Sequence, residues 1–179
     1  MRTEAHTYMA DAQNMVVLGF DSRMAAQEML DAALRLQGEG KLLVRDAVFV
    51  TKDDKGRAHV QETTDPSTGA RALGGAFWGL LFGAILLVPV AGMAVGAGVG
   101  ALTGKMIDSG LSDKFVKQLR ESIQPGKTYL ALLVSHGDMA AALAELRRFK
   151  GIAEFVDSSM PEQAVAQVKA ALATEPTTR

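Results

Sequence analysis

One feature constrains this chain more than any other: residues 72–104 form a run of thirty-three residues without a formal charge. Within this apolar run, glycine recurs at every fourth position in two series, one on each side of Pro89. Residues four apart lie on the same face of an α-helix, and a face of glycines lets a second backbone approach closely. The run therefore predicts closely packed helices. The first series is Gly75, Gly79 and Gly83, and the second is Gly92, Gly96, Gly100 and Gly104.

Pro89 lies near the middle of the apolar run and predicts a bend between two helical arms. Each arm has about 15 to 17 residues and a length of about 24 Å, slightly less than a bilayer-spanning helix needs. We therefore expect a helical hairpin that dips into a membrane or barely crosses it, with Arg71 and Lys105 at the same interface. Bulky side chains of the first arm are expected to contact lipid: Phe77, Trp78, Leu80, Leu81, Phe82, Ile85, Leu86 and Leu87.

A soluble arrangement of the same hairpin is the alternative, with the hairpin buried in the middle of an oligomer. Each glycine in a helix interior weakens that helix by about 1 kcal/mol relative to alanine in water. Nine glycines lie within residues 72–104, so either lipid or a bundle of several chains has to compensate. The sequence favours membrane insertion over a soluble bundle, and both arrangements predict a homo-oligomer.

The residues on either side of the apolar run predict two β-α-β units. Apolar runs and one short polar return strand are expected to form the sheet: 15–20, 42–51, 57–62, 128–135 and 152–156. Helices are expected at about 22–37, 112–123, 138–149 and 159–174. Polar residues are expected to cap these helices, the first by Asp21 and Ser22 and the last by a capping box of Ser159 with Glu162; Ser112 and Asp138 are expected to cap the other two. The order predicts an α+β fold, a ferredoxin-like split β-α-β body with an inserted apolar glycine-zipper helical hairpin.

Five parts follow along the chain. We expect a flexible N-terminal arm, a first β-α-β half with a β-hairpin, the glycine-zipper hairpin, a helix plus the second β-α-β half and terminal helix, and a disordered tail. The N-terminal residues lack the apolar core of a secretory signal, so the bulk of the protein is expected on the cytoplasmic side of the membrane. The corresponding ranges are 1–13, 14–68, 69–110, 111–174 and 175–179.

Signals for catalysis are weak in this sequence. Residues 96–101 satisfy a G-x-G-x-x-G/A pattern, but no strand is predicted before them, so helix packing is the better interpretation. His136 beside Asp138 is better explained as a surface turn whose carboxylate caps the next helix. Cysteine is absent, which excludes disulfides and thiolate chemistry, and no spacing suits a metal site. We expect no catalytic, cofactor or metal residues.

A longer combination of motifs carries a family resemblance. Residues 75–134 join the glycine-rich hairpin, an I-D-x-G-[LI]-x-D-x-F foot at residues 107–115, and a Pro-Gly turn before an apolar strand. This combination resembles the bacterial domain-of-unknown-function family numbered twelve-sixty-nine, over nearly the whole chain. The resemblance implies a membrane-associated protein with a body of two β-α-β units, and it supplies no established catalytic residues.

These observations predict a non-enzymatic, membrane-associated protein that self-assembles through its glycine-zipper hairpin. Its expected partners are copies of itself and a lipid bilayer. The formal net charge of −1 provides no overall field for nucleic acid, and none is expected as a partner. The alternative function is a small-ligand-sensing or binding module that forms a soluble homo-oligomer through a buried hairpin bundle. The sequence does not identify such a ligand.

Overall fold

The computed structural model describes residues 14–55, 58–63, 78 and 113–173. Over these residues the fold is α+β, with a five-stranded antiparallel sheet and four α-helices, which confirms the predicted class. The predicted N-terminal arm, the Pro89 bend and the tail at residues 175–179 lie outside the described residues, as does all of the apolar run except Trp78.

The strands and helices fall close to the positions that the apolar patterns predict. The strands are β1 (Asn14–Phe20), β2 (Leu42–Lys52), β3 (Ala58–Glu62), β4 (Thr128–Gly137) and β5 (Ala153–Ser158). The helices are α1 (Arg23–Gly38), α2 (Asp113–Ser122), α3 (Met139–Leu146) and α4 (Glu162–Leu172), and a single 3-10 turn (Arg147–Phe149) follows α3.

The sheet order is β3-β2-β4-β1-β5, and every neighbouring pair is antiparallel. Strand β4 lies between β1 and β2, and β1 lies between β4 and β5. Each β-α-β unit, β1-α1-β2 and β4-α3-β5, therefore has a strand of the other unit between its own two strands. The sheet is completed only by pairing residues that are far apart in the chain.

Two of the predicted helix caps are confirmed. The Ser22 hydroxyl accepts a 3.1 Å hydrogen bond from the Ala25 N–H at the start of α1. The Asp138 carboxylate accepts a 3.1 Å hydrogen bond from the Ala141 N–H at the start of α3. Each bond satisfies one of the N–H groups that a helix leaves unpaired in its first turn. The predicted cap of α2, Ser112, lies outside the described residues.

The predicted capping box at Ser159 and Glu162 is wrong. The N-cap of α4 is Pro161, which has no side chain that can accept a hydrogen bond. The Ser159 hydroxyl instead accepts a 2.8 Å hydrogen bond from the Met15 N–H, and the Ser159 N–H donates to the Met15 carbonyl at 3.0 Å. Ser159 therefore joins the end of β5 to the start of β1, a long-range contact that local spacing cannot reveal.

The two faces of the sheet are covered differently. Helices α1, α3 and α4 cover the first, which we call the three-helix face; its core includes Leu18, Phe49, Leu130, Met29 and Leu172. The second face is covered by Trp78 and by α2 with the residue that follows it, and we call it the Trp78 face. Its buried members are Met15, Val17, Val48, Val50, Trp78, Leu119, Ile123, Tyr129 and Ala131.

Candidate functional site

The Trp78 face is where the apolar run meets the folded body. Trp78 is the one described residue between 63 and 113, and its backbone is helical. Its side chain is only 1 % exposed and packs against apolar residues of β1, β2 and β4 and against the α2 segment. Burial of a side chain of this size contributes strongly to a hydrophobic core. The apolar run is thus part of the core at this residue.

A carboxylate on β2 satisfies the buried indole. The Trp78 Nε1 donates a 2.7 Å hydrogen bond to Oδ2 of Asp46, and Oδ1 of Asp46 accepts a 2.8 Å hydrogen bond from the Ala47 N–H. The register of β2 against β4 shifts between Val44 and Asp46. A bulge of this kind changes which side chains point to which face, and here it allows Asp46 to face Trp78.

Asp46 is the residue of this site that the sequence analysis missed. Arg45 and Asp46 place two charges in the middle of β2, between the apolar residues 42–44 and 47–50, and that interruption is the signal that could have identified a bulge. Arg45 also has a partner, since its Nε donates a 2.9 Å hydrogen bond to the Ser135 hydroxyl. Ser135 is 1 % exposed, so this bond satisfies a buried polar group near the end of β4.

Hydrogen bonds hold the end of α2 over the Trp78 face. The Tyr129 hydroxyl accepts a 2.8 Å hydrogen bond from the Gln124 N–H and donates to the Ser122 carbonyl at 3.2 Å. Lys52 Nζ donates to the Ile123 carbonyl at 3.2 Å. Carbonyls at a helix C-terminus lack partners within the helix, and these side chains supply them. The cover over the Trp78 face is therefore fixed to the sheet by both packing and hydrogen bonds.

Trp78 is the only predicted site residue within the described part of the chain. Although the sequence places it among the lipid contacts, its side chain packs on the sheet, because it covers an apolar face and its N–H has a carboxylate partner. The predicted packing glycines, the bend and the interface flanks lie outside the described residues: Gly75, Gly79, Gly83, Gly92, Gly96, Gly100, Gly104, Pro89, Arg71 and Lys105. The other lipid-contact residues also lie outside: Phe77, Leu80, Leu81, Phe82, Ile85, Leu86 and Leu87.

Among the described residues, no group of three or more His, Asp and Glu side chains is placed to hold a metal ion. None of the helices within the described ranges has the length and hydropathy to cross a bilayer. Asp138, which the sequence pairs with His136, caps α3 as expected for a surface turn.

A family model described as a protein of unknown function (DUF1269) matches residues 72–173. No curated protein and no solved structure matches the sequence. The match covers more than half of the chain: it begins six residues before Trp78 and extends through α2, β4, α3, β5 and α4.

Proposed function

This chain belongs to the DUF1269 family, as its motifs predict, and from that premise we propose that it is a non-enzymatic protein that self-assembles on membranes. The glycine-rich apolar run provides the contacts between copies. The bulky apolar side chains of the same run other than Trp78 provide the contact with lipid, and the body lies on the cytoplasmic side. The observation that carries the proposal is the burial of Trp78 against the sheet, which ties the run to the folded body.

We also infer that the body is ferredoxin-like. The interleaved order β2-β4-β1-β5, with helices α1 and α3 on one face, supports this interpretation, and β3 is then an additional edge strand. In this arrangement the apolar run is an insertion between the two β-α-β units. Such an insertion can contact a membrane or other copies without disturbing the pairing of the four core strands.

The position of Trp78 limits how deep the run can insert. Residues 79–88 are ten residues between Trp78 and Pro89, and as a helix they would extend about 15 Å. The hydrocarbon core of a bilayer is about 30 Å thick, and an extended strand would leave backbone groups unpaired in it. We therefore propose that the run enters one leaflet and returns, with Arg71 and Lys105 on the same side.

Self-assembly is proposed to depend on the second glycine series. Residues 90–104 contain few bulky side chains and present Gly92, Gly96, Gly100 and Gly104 at helical spacing. A surface of this kind gains stability by close backbone approach, through dispersion contacts that small residues such as glycine permit. The soluble alternative, in which these glycines pack inside a bundle of several chains, uses the same contacts without lipid.

Substitutions in the second glycine series test the self-assembly. Gly96→Leu with Gly100→Leu is expected to reduce the mass of the particle measured by light scattering, because leucine keeps the helices apart. The matched control is Ala97→Leu with Ala101→Leu, which adds the same side chains at the same spacing but outside the glycine series. Trp78 fluorescence reports whether the body stays folded. An unchanged mass in the glycine variant would contradict the proposed contacts.

Depth-dependent quenching tests the membrane contact. Trp78 is the single tryptophan of the chain, so its emission in liposomes that contain brominated lipid reports one position. Trp78 should resist quenching, whereas Trp78→Phe combined with Phe82→Trp should be quenched strongly. Flotation of the full chain with liposomes, against a chain lacking residues 79–104, measures membrane binding directly. Recovery of both proteins in the soluble fraction, with the full chain still oligomeric, would favour the soluble bundle.

A further inference from the structure

A cleft lies at the end of the sheet where β1 ends and β5 begins. Its volume is about 390 Å³, which falls within the range of about 300 to 1,000 Å³ that small-molecule sites occupy. The walls come from the end of β1, the start of β5 and the last turn of α4. Lining side chains that matter for its chemistry are Lys127, Ile152, Glu154, Phe155, Lys169 and Leu172.

The apolar part of this cleft is incompletely covered. Ile152 is 52 % exposed, and it is one of two large hydrophobic side chains that are exposed in the described part of the chain. Phe155, half-buried, also lines the cleft. A small apolar group placed here would cover surface that the body itself leaves in contact with water, and its burial would be favourable.

A cation stands beside this apolar surface. Lys169 Nζ lies 5.0 Å from the centroid of the Phe155 ring. Among the described residues it forms no ion pair with a carboxylate. Lys169 lies in the last turn of α4, where the negative end of the helix dipole favours a cation.

The other lysine of the cleft is already paired. Lys127 Nζ lies 2.7 Å from Glu154 and 3.7 Å from Asp21. The hydrogen bond that Lys127 donates to Glu154, together with the negative charge of that carboxylate, raises the pKa of Lys127. With two carboxylates on this side of the cleft, a second negative charge on a ligand would be repelled. A ligand with one negative charge therefore matches the cleft when its anionic group lies at Lys169, the cleft lysine that pairs with no described carboxylate.

We propose that this cleft binds a small monoanionic carboxylate with an apolar body, of the size of a simple aromatic acid. The carboxylate pairs with Lys169, and the apolar body covers Ile152 and Phe155. The inference goes beyond self-assembly on membranes, since none of the residues proposed for that function lines the cleft. Because the cleft is open to solvent and the described residues offer it one cation that has no carboxylate partner, we expect a dissociation constant on the order of millimolar.

The four isoleucines of the chain make the test specific. They are Ile85, Ile107, Ile123 and Ile152, so selective labelling of their δ1 methyl groups gives four NMR signals. The full-length assembled protein is titrated with sodium benzoate, and Ile152→Val assigns the cleft signal. We expect a saturable shift of the Ile152 methyl, while Ile123, on the opposite face of the sheet, stays constant. Benzamide, the neutral match of benzoate, should give no saturable shift.

Two lysine variants separate a binding site from general charge. Lys169→Met keeps most of the aliphatic stem and should weaken benzoate binding about tenfold, the effect of one charge-assisted contact. Lys117→Met removes an exposed cation on α2 and should leave binding unchanged. The proposal is overturned by the absence of saturation, by equal binding of benzamide, by equal affinity in Lys169→Met, or by displacement of benzoate by equimolar inorganic phosphate.

Discussion

Trp78 and Asp46 are thirty-two residues apart in the chain, yet the indole nitrogen of one lies 2.7 Å from a carboxylate oxygen of the other. The bond links the start of the apolar run to the bulge in β2. It therefore couples two features that are unusual in isolation, a charged residue within a core strand and a tryptophan within a glycine-rich run. Each one explains the presence of the other.

Removal of the acceptor should destabilise the body. Asp46→Ala leaves the buried indole N–H without its partner, which costs about 1 to 3 kcal/mol of unfolding free energy. Urea unfolding followed by circular dichroism measures the change. The same substitution made together with Trp78→Phe, which has no N–H, should cost less than it does in the natural chain. An equal cost in both backgrounds would show that the two residues are not coupled.

A methyl group at Gly19 should also be destabilising. A Cβ at this position would lie 3.2 Å from Cε1 of Tyr129, and the two hydrogen bonds of the Tyr129 hydroxyl keep the ring from moving away. Gly19→Ala is expected to lower the unfolding free energy by about 1 to 3 kcal/mol, the usual effect of overpacking. Thermal unfolding at a fixed protein concentration measures it.

Gly38 provides the matched control for this substitution. It ends α1, and a Cβ there would meet nothing within 4 Å. Gly38→Ala should be neutral or stabilising by about 0.5 to 1 kcal/mol, since alanine favours helix and restricts the unfolded chain. If Gly19→Ala changes the unfolding free energy as Gly38→Ala does, the ring of Tyr129 can move to accommodate the added methyl group.

Loss of the Tyr129 hydroxyl should loosen the end of α2 specifically. In Tyr129→Phe the Gln124 N–H and the Ser122 carbonyl lose their side-chain partner, at a cost of about 1 to 2 kcal/mol. Amide hydrogen exchange should accelerate at Ile123 and Gln124. The amides of α1, on the other face of the sheet, should exchange at their original rates. Uniform acceleration across both helices would indicate global destabilisation instead.

The Lys127 ion pair predicts a defined pH dependence. Its partner Glu154 raises the folded-state pKa above the usual 10.5. Because the pKa is raised, the contribution of the ion pair to the free energy of unfolding is complete at pH values below the unfolded-state pKa of Lys127. It is lost as the pH rises through the folded-state pKa. We expect Lys127→Met to lower the free energy of unfolding by less than about 1 kcal/mol, because the ion pair is exposed. This difference from the natural chain should stay constant from about pH 7 to 9 and vanish above the raised pKa.

Lys117→Met is the control for the loss of one exposed lysine in that experiment. Its side chain is exposed on α2, so the difference between the two variants isolates the ion pair of Lys127. A difference for Lys127→Met that persists at the alkaline limit would assign the effect to packing of its aliphatic stem.

Local patterns were sufficient to predict most of the body. Apolar runs and turn residues located the strands, and the side chains of Ser22 and Asp138 marked helix starts because a cap bonds only a few residues away. Ser159 has the same local signature, but its hydroxyl bonds to Met15, 144 residues earlier in the chain. Spacing alone cannot distinguish these cases, because a hydroxyl accepts equally well from either N–H.

The environment of Trp78 could not be predicted for a related reason. Periodicity shows that a side chain is apolar and on one face of a helix, but it does not show which apolar surface it meets. The same periodicity is expected whether the apolar side chains meet lipid or the uncovered face of an antiparallel sheet. The distinguishing signal was Asp46, whose charge inside β2 becomes intelligible only once the tryptophan is placed beside it.

The interleaved strand order also has a consequence for biosynthesis. The pairing partner that separates β1 from β2 is β4, whose first residue is Thr128. The ribosome therefore releases the whole apolar run before it has synthesised β4, the strand that completes the central sheet. At that moment the sheet face that buries Trp78 is still incomplete, and domains generally fold as units during synthesis. The apolar run must therefore leave the ribosome before its tryptophan can be buried.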